Sequence, residues 1–266
     1  MRFKVLAFAA SLLLITNSSV AVPQAPTTTT SSTQAATLLG QSAQSLTGSI
    51  AVNDVTLTGT VEWIAGSDDE TGTAVYKAVS GAHRMDLSFR NGTRSEIASA
   101  AGGVPTGTWI GLDGTSHAVA DHNLMSDAGW FPSFTFESLV ASSNTVLSYV
   151  GQEVRNGSTV IHISSSQVFP GFPGNLATLS QHLTQVDIYL DPSTFLPVSY
   201  VYNSHPDNDA LLDIPTEIRY SSYQAFNGVQ IPLHIQKYIN NTLVLDLHFQ
   251  NASLNTGMTA VQIVGQ

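Results

Sequence analysis

Cysteine is absent from all 266 residues, which removes disulfides, thiolate metal sites, iron–sulfur clusters, thiol nucleophiles and any lipid anchor on a cysteine. Packing and hydrogen bonding must hold the fold. Charge is scarce as well: charged residues make up 11% of the chain, and nine Lys plus Arg face nineteen Asp plus Glu for a net of −10 at pH 7. A polyanion such as DNA or RNA meets long-range repulsion, so nucleic acid is disfavoured as a partner. The sequence also lacks the familiar reaction templates. It has no Gly-x-Ser-x-Gly pentad, no Gly-x-Gly-x-x-Gly, no phosphate loop ending in Gly-Lys-Ser/Thr and no His-Glu-x-x-His, which leaves template-driven catalysis without support.

What is present begins with an address. Arg2 and Lys4 make a positive start, Val5 to Ile15 is an apolar run of eleven, and Ser19-Val20-Ala21 supplies a small-x-small cleavage pattern. Residues 1–21 therefore read as a secretory signal peptide, since a membrane anchor needs roughly twenty apolar residues. Its removal leaves seven basic and nineteen acidic residues, a balance that favours solubility over adhesion to anionic lipid. Residues 22–33, rich in Thr, Ser and Pro, have little to bury and read as a flexible tether. With 42% hydrophobic residues, no internal repeat and no second linker, residues 34–266 form one domain.

Periodicity gives the element types. Ala35, Ala36, Leu38, Leu39, Ala43 and Leu46 recur at helical spacing and predict a helix over 34–46, stopped at Gly48. From Val55 to Trp63 the odd positions are apolar apart from Gly59 and the even ones are Thr or Glu, which predicts a strand with one wet face. The same alternation returns in Val186, Ile188 and Leu190, in Ile231, Leu233 and Ile235, and in Leu243 to Phe249. Asn91-Gly92, Asn156-Gly157, Asn227-Gly228 and Asn240-Asn241 sit between strand patterns as tight-turn signals, so the sheet is antiparallel. Further helical patches fall at 121–141, with a break at Pro132, and at 174–183.

Areas then decide what the sheet must do. About ten strands, ~4.8 Å apart and ~20 Å long, present an apolar face of ~1,000 Å², whereas three short helices cover ~500 Å². Either the sheet curls until its own face closes around the helices, or an apolar cavity remains for a guest.

Among polar clusters, His205-Pro206-Asp207-Asn208-Asp209 with Asp213 is the densest. Its composition is that of a solvated turn, with a metal site as the alternative. His162, His234 and His248 fall at polar-phase positions and read as surface histidines. Asp68-Asp69-Glu70 reads as a solvated turn, and Asp187 as an outer-face residue. The aromatic cluster Trp130, Phe131, Phe134 and Phe136 reads as a helical cap over a core or as an apolar flap over a pocket.

The order of these features resembles the periplasmic lipoprotein carrier family (LolA and LolB). The resemblance is carried by the signal peptide, the N-terminal helix, the long strand Val55 to Trp63 and the run Val186-Asp187-Ile188-Tyr189-Leu190-Asp191-Pro192-Ser193-Thr194-Phe195-Leu196-Pro197-Val198. Tyr223 to Asn227, Gly228-Val229-Gln230-Ile231-Pro232 and the Asn251 to Asn255 tail add to it. It implies an α+β fold, a strongly curved, unclosed antiparallel half-barrel of about eleven strands wrapping a few helices. It also implies an apolar cavity that holds acyl chains with no cofactor or covalent chemistry. Carriers of this type close the lid with an arginine near the sheet. Arg84 is the nearest candidate for that role, the alternative being a surface arginine on a strand.

The expected function is thus a soluble periplasmic or secreted carrier for an apolar ligand, lipid or lipidated protein, with a membrane-associated donor or acceptor protein and no nucleic acid. The expected lining is Leu57, Val61, Trp63, Leu87, Phe89, Trp109, Leu245 and Leu247, with Phe131, Phe134 and Phe136 as lid. Two other readings compete: a protein-interaction or signalling module whose sheet is filled by its own helices, and a metal-assisted hydrolase built on the His205 to Asp213 loop.

Overall fold

The computed structural model describes residues 32–100, 103–126 and 129–265. The expected signal peptide and the tether up to residue 31 lie outside the described residues. Ser32, at the end of that expected tether, caps a helix instead: its hydroxyl accepts from the Ala35 amide at 3.3 Å and opens α1, Thr33–Thr47. Ala35, Leu39, Ser42 and Leu46 form the buried stripe of α1, and Gly48 at φ 59° ends it.

Among the described residues thirteen strands follow, two more than the resemblance implies. They are β1 (Asp54–Ala65), β2 (Asp68–Val79), β3 (Ala82–Phe89), β4 (Gly92–Ser99), β5 (Thr106–Ile110), β6 (Ser116–Ala118), β7 (Thr145–Arg155), β8 (Ser158–Gln167), β9 (Val186–Leu190), β10 (Pro197–Ser204), β11 (Ile214–Phe226), β12 (Val229–Ile239) and β13 (Thr242–Leu254). Helices α2 (Pro132–Ala141), α3 (Gly174–Leu183) and α4 (Ala260–Val264) are the other α-helices among the described residues. Pro132 begins α2 rather than interrupting a longer helix, because at the first turn its missing N–H has no intrahelical partner to lose. Asp68-Asp69-Glu70 belongs to β2, and the turn falls on Gly66, whose φ is 70°. All four hairpin signals hold: Asn156-Gly157, Asn227-Gly228 and Asn240-Asn241 are turns whose two residues both take positive φ, and at Asn91-Gly92 the turn is Arg90-Asn91, with Phe89 paired to Gly92.

Every pairing is antiparallel, and the strands run in the order β6-β5-β4-β3-β2-β1-β13-β12-β11-β10-β9-β8-β7. The sheet is therefore two meanders, β1 to β6 and β7 to β13, joined by the pairing of β1 with β13. It does not close, so β6 and β7 are its two edges. The chain must pass from one edge to the other between them, and that passage carries a short 3-10 turn, Asp121–Leu124, and then α2. Helix α2 packs on α1, which packs in turn on β7 and β12.

One face of the sheet is apolar and curls around these helices. Its core includes Leu57, Tyr76, Met85, Tyr200, Ile218, Ile231, Ile235 and Leu247, with Leu39, Leu46, Phe131 and Phe136 from the helical side. Polar groups line the other face and pair with one another. Glu217 accepts from Ser199 at 2.6 Å and from Arg219 at 2.9 Å, and meets Arg155 at 3.0 Å. His162 Nε2 lies 2.9 Å from Asp187, and His234 and His248 share Asp246 at 2.7 and 3.1 Å.

Gly59, the one gap in the alternation of β1, sits at the irregularity in the β1–β13 register. A Cβ there would lie 2.1 Å from the His248 carbonyl oxygen and 2.6 Å from the Phe249 Cα, so backbone would have to move. Gly40, in the middle of α1, has nothing within 4 Å of its added Cβ. Gly59→Ala should lower the unfolding free energy by about 2 kcal/mol in urea titration, whereas Gly40→Ala should raise it by up to about 1 kcal/mol.

Candidate ligand cavity

Helices α1 and α2 do not fill the whole trough. A cavity of about 350 Å³ remains beside the β1–β13 seam. Its walls are Trp63 and Ile64 of β1, Met85 and Leu87 of β3, Trp109 and Ile110 of β5, Ile239 of β12 and Val244 and Leu245 of β13, with Trp130 arriving just before α2. Arg94, Ser95 and Glu96 of β4 and Lys237 of β12 add polar groups. A volume of this size stands near the lower end of the range of small-molecule sites.

The positions expected to line a cavity divide into two groups. Trp63, Leu87, Trp109 and Leu245 do so. Leu57, Val61 and Leu247, at 0%, 2% and 0% exposure, lie in the close-packed core. Phe89 stands against Trp63, with ring centroids 5.8 Å apart. Phe131 and Phe136 are buried core side chains with Phe134 packed beside them, and the Phe131 and Phe134 rings meet edge to face at 5.0 Å. Arg84 is ion-paired with Asp86 at 2.8 Å. Alternation along β3 puts both on the face opposite Met85 and Leu87.

The charged groups of the wall were not singled out from the sequence. Glu96 pairs across the sheet with Met85 and Trp109, and Lys237 pairs with Leu245 and Ile218, so all six point to the same face. For Lys237 the signal was available, because it continues the odd phase of Ile231, Leu233 and Ile235. In β4 neither phase is apolar, so its inner face could not be read.

These charges are held in place. Trp130 Nε1 donates to Glu96 Oε1 at 3.0 Å, His83 Nε2 lies 3.6 Å from the same oxygen, and the Lys237 ammonium is 5.5 Å from the centre of the Trp130 ring. The Arg94 guanidinium lies 3.2 Å over the Trp63 ring, and its Nε is buried without a hydrogen-bond partner. The Glu96 side chain keeps 38% of its surface, and that surface gives on to the cavity. Burial works against its charged form, but the neighbouring His83 ring, the charge of Lys237 and the Trp130 donor outweigh it and bring its pKa down to about 2. Lys237 is pushed upward by Tyr202 and Glu96, against the opposing effect of burial.

No family model matches the sequence, and no curated protein matches it. Solved structures do. The chain is similar to an outer membrane lipoprotein-sorting protein domain from Vibrio parahaemolyticus, at a TM-score of 0.57 and 11% identity, over 86% of this chain and 96% of that one. A DUF1329 family protein from Desulfovibrio piger gives 0.55 and 9% identity over 86% and 95%. A LolA superfamily protein from Nitrosomonas europaea gives 0.53 and 9% over 85% and 96%. The chain thus shares the fold of these proteins, the open half-barrel that its sequence resemblance implied. No described helix is long and apolar enough to cross a membrane.

The lowered pKa of Glu96 has a direct consequence. Its charge and the contacts that depend on it persist below pH 4.5 and are lost only as pH falls through about 2. Carboxyl carbon shifts followed by NMR should show Glu96 still ionised at about pH 3.5, where ordinary glutamates are largely protonated. A midpoint near 4.5 would mean that His83, Lys237 and Trp130 do not hold it.

Proposed function

We propose that the chain is a non-covalent binding protein that shelters the apolar part of an amphiphile, a lipid or the acyl chain of a lipidated protein, in this cavity. The observation that carries the reading is the trough itself: two helices fill part of an apolar sheet face, and the unfilled part is walled by large apolar side chains. Soluble chains seldom leave such surface idle. Affinity comes from burial, at about 25 cal/mol per Å² of guest surface, so an acyl chain needs no particular polar contact to bind. Arg94, Glu96 and Lys237 mark the polar part of the wall, where the headgroup end of an amphiphile is better accommodated than its tail. A volume near 350 Å³ suits one slender chain.

A carrier of this kind works in a secreted or periplasmic setting, receiving its guest from a membrane-associated donor and passing it to an acceptor. The signal-like segment 1–21 supports that location, and the fold shared with a lipoprotein-sorting domain supports the kind of guest.

The test uses a property of the cavity. All three tryptophans of the chain, Trp63, Trp109 and Trp130, line it, so intrinsic fluorescence reports on this site. A fatty acid brominated along its chain should quench the emission saturably. Trp63→Asp removes apolar contact worth about 2 kcal/mol, so it should weaken uptake of a competing, non-quenching fatty acid roughly thirtyfold. Emission that stays unquenched in the folded wild-type protein would sink the reading.

A further inference from the structure

The turn between β10 and β11 is only partly the solvated loop its composition suggests. Asp207, Asn208 and Asp209 are exposed, but His205 is buried, with 1% of its side chain accessible. Its backbone is held by Asn123 of the 3-10 turn, which accepts from the His205 amide at 2.8 Å and donates to the His205 carbonyl at 2.8 Å. The last turn of α3 brings His182 to the same place, and Asp213 arrives just before β11.

We propose that His182, His205 and Asp213 form a binding site for a divalent transition-metal ion, zinc before others. One ligand atom from each residue lies within 4.8 Å of the other two. His182 Nε2 is 3.1 Å and His205 Nδ1 3.6 Å from Asp213 Oδ1. Ligands about 2.0–2.1 Å from a tetrahedral zinc stand roughly 3.3 Å apart, so these contacts match the edges of such a site. Two imidazoles with one carboxylate suit zinc, whereas calcium takes six to eight oxygens. Asp213 keeps 42% and His182 31% of its side-chain surface, which leaves a solvent side for entry and for water as the fourth ligand.

A comparison within the molecule separates this cluster from an ordinary ion pair. On the outer sheet face, His234 Nε2 is hydrogen-bonded to Asp246 at 2.7 Å while its Nδ1 meets Ser221 at 2.9 Å, so both ring nitrogens are satisfied without a metal. At the first cluster His205 Nδ1 lies 3.2 Å from the Leu212 carbonyl oxygen, a contact the ion would replace, but His182 Nε2 is buried and, despite its 3.1 Å approach to Asp213, has no aligned hydrogen-bond partner. A buried ring nitrogen without a partner is costly, and a metal ion supplies what it lacks. The ion would tie the end of α3 to the β10–β11 connection.

The experiment titrates the untagged full chain, cleared of metal by a chelator, with zinc chloride in a calorimeter. Cobalt(II) absorption reports the coordination geometry. The expected result is one saturable site per chain with a tetrahedral cobalt spectrum. His182→Ala and Asp213→Ala both alter accessible side chains, and each should weaken binding on the order of a hundredfold or more while circular dichroism stays unchanged. The double variant His234→Ala/His248→Ala should bind as the wild type does. Absence of saturable zinc binding, or binding that survives His182→Ala, would overturn the assignment. So would binding lost only in the His234/His248 double variant.

Discussion

The antiparallel ladder between β1 and β13 is the one contact that turns two meanders into a single sheet. Each meander is built from neighbours in sequence and needs only short turns. The ladder instead pairs Val55 with Leu254, and its geometry is guarded at both levels of the chain. In the backbone, Gly59 lets the strands approach at the irregularity. In the side chains, Asp54 accepts from the Thr256, Gly257 and Met258 amides at 2.9, 2.8 and 3.2 Å. Burial opposes the charge on Asp54, but these donors prevail and hold its pKa below the usual carboxylate value. Asn255 closes the same corner by accepting from the Asn53 amide at 2.7 Å and donating to the Ala51 carbonyl at 2.9 Å.

The cavity follows from this arrangement. Because the meanders meet in the middle, the two free edges lie at opposite ends of the sheet, and the segment linking them has to travel across the trough. It brings α2 against α1, and together they fill the part of the trough under β7 and β12. Trp130, at the start of that crossing, marks where the filling stops: one side of it belongs to the core, and its indole N–H reaches Glu96 in the open part. Placing Glu96 and Lys237 inside an apolar trough would be costly for either alone, and their mutual attraction with the indole donor offsets that cost.

Element types were legible because alternation and Asn-Gly turns are local signals. The helix at 34–46 and the strand from Val55 to Trp63 came out with ends differing by one or two residues, whereas the mismatch between strand area and helix area left a curled sheet and a residual cavity as alternatives, and the curved half-barrel came from the family resemblance. Which apolar residues lie under a helix was not. Leu57 and Leu245 share one alternation pattern, yet Leu57 is in the close-packed core and Leu245 faces the void, since only tertiary packing sets where α1 and α2 lie. Charges on the inner face were hidden by the assumption that an inner phase is apolar. His182 escaped notice because its partners come from a loop more than twenty residues further along the chain.

The seam also orders events in time. Residues join a growing chain from the N-terminus at a pace that lets early segments collapse first, but β1 cannot be satisfied until the last strand has left the ribosome. Until then its central edge is open to other strands, and contacts of such long sequence separation form slowly. The protein's most exposed moment is therefore during synthesis, when nearly all of its sheet exists and the piece that joins the halves does not.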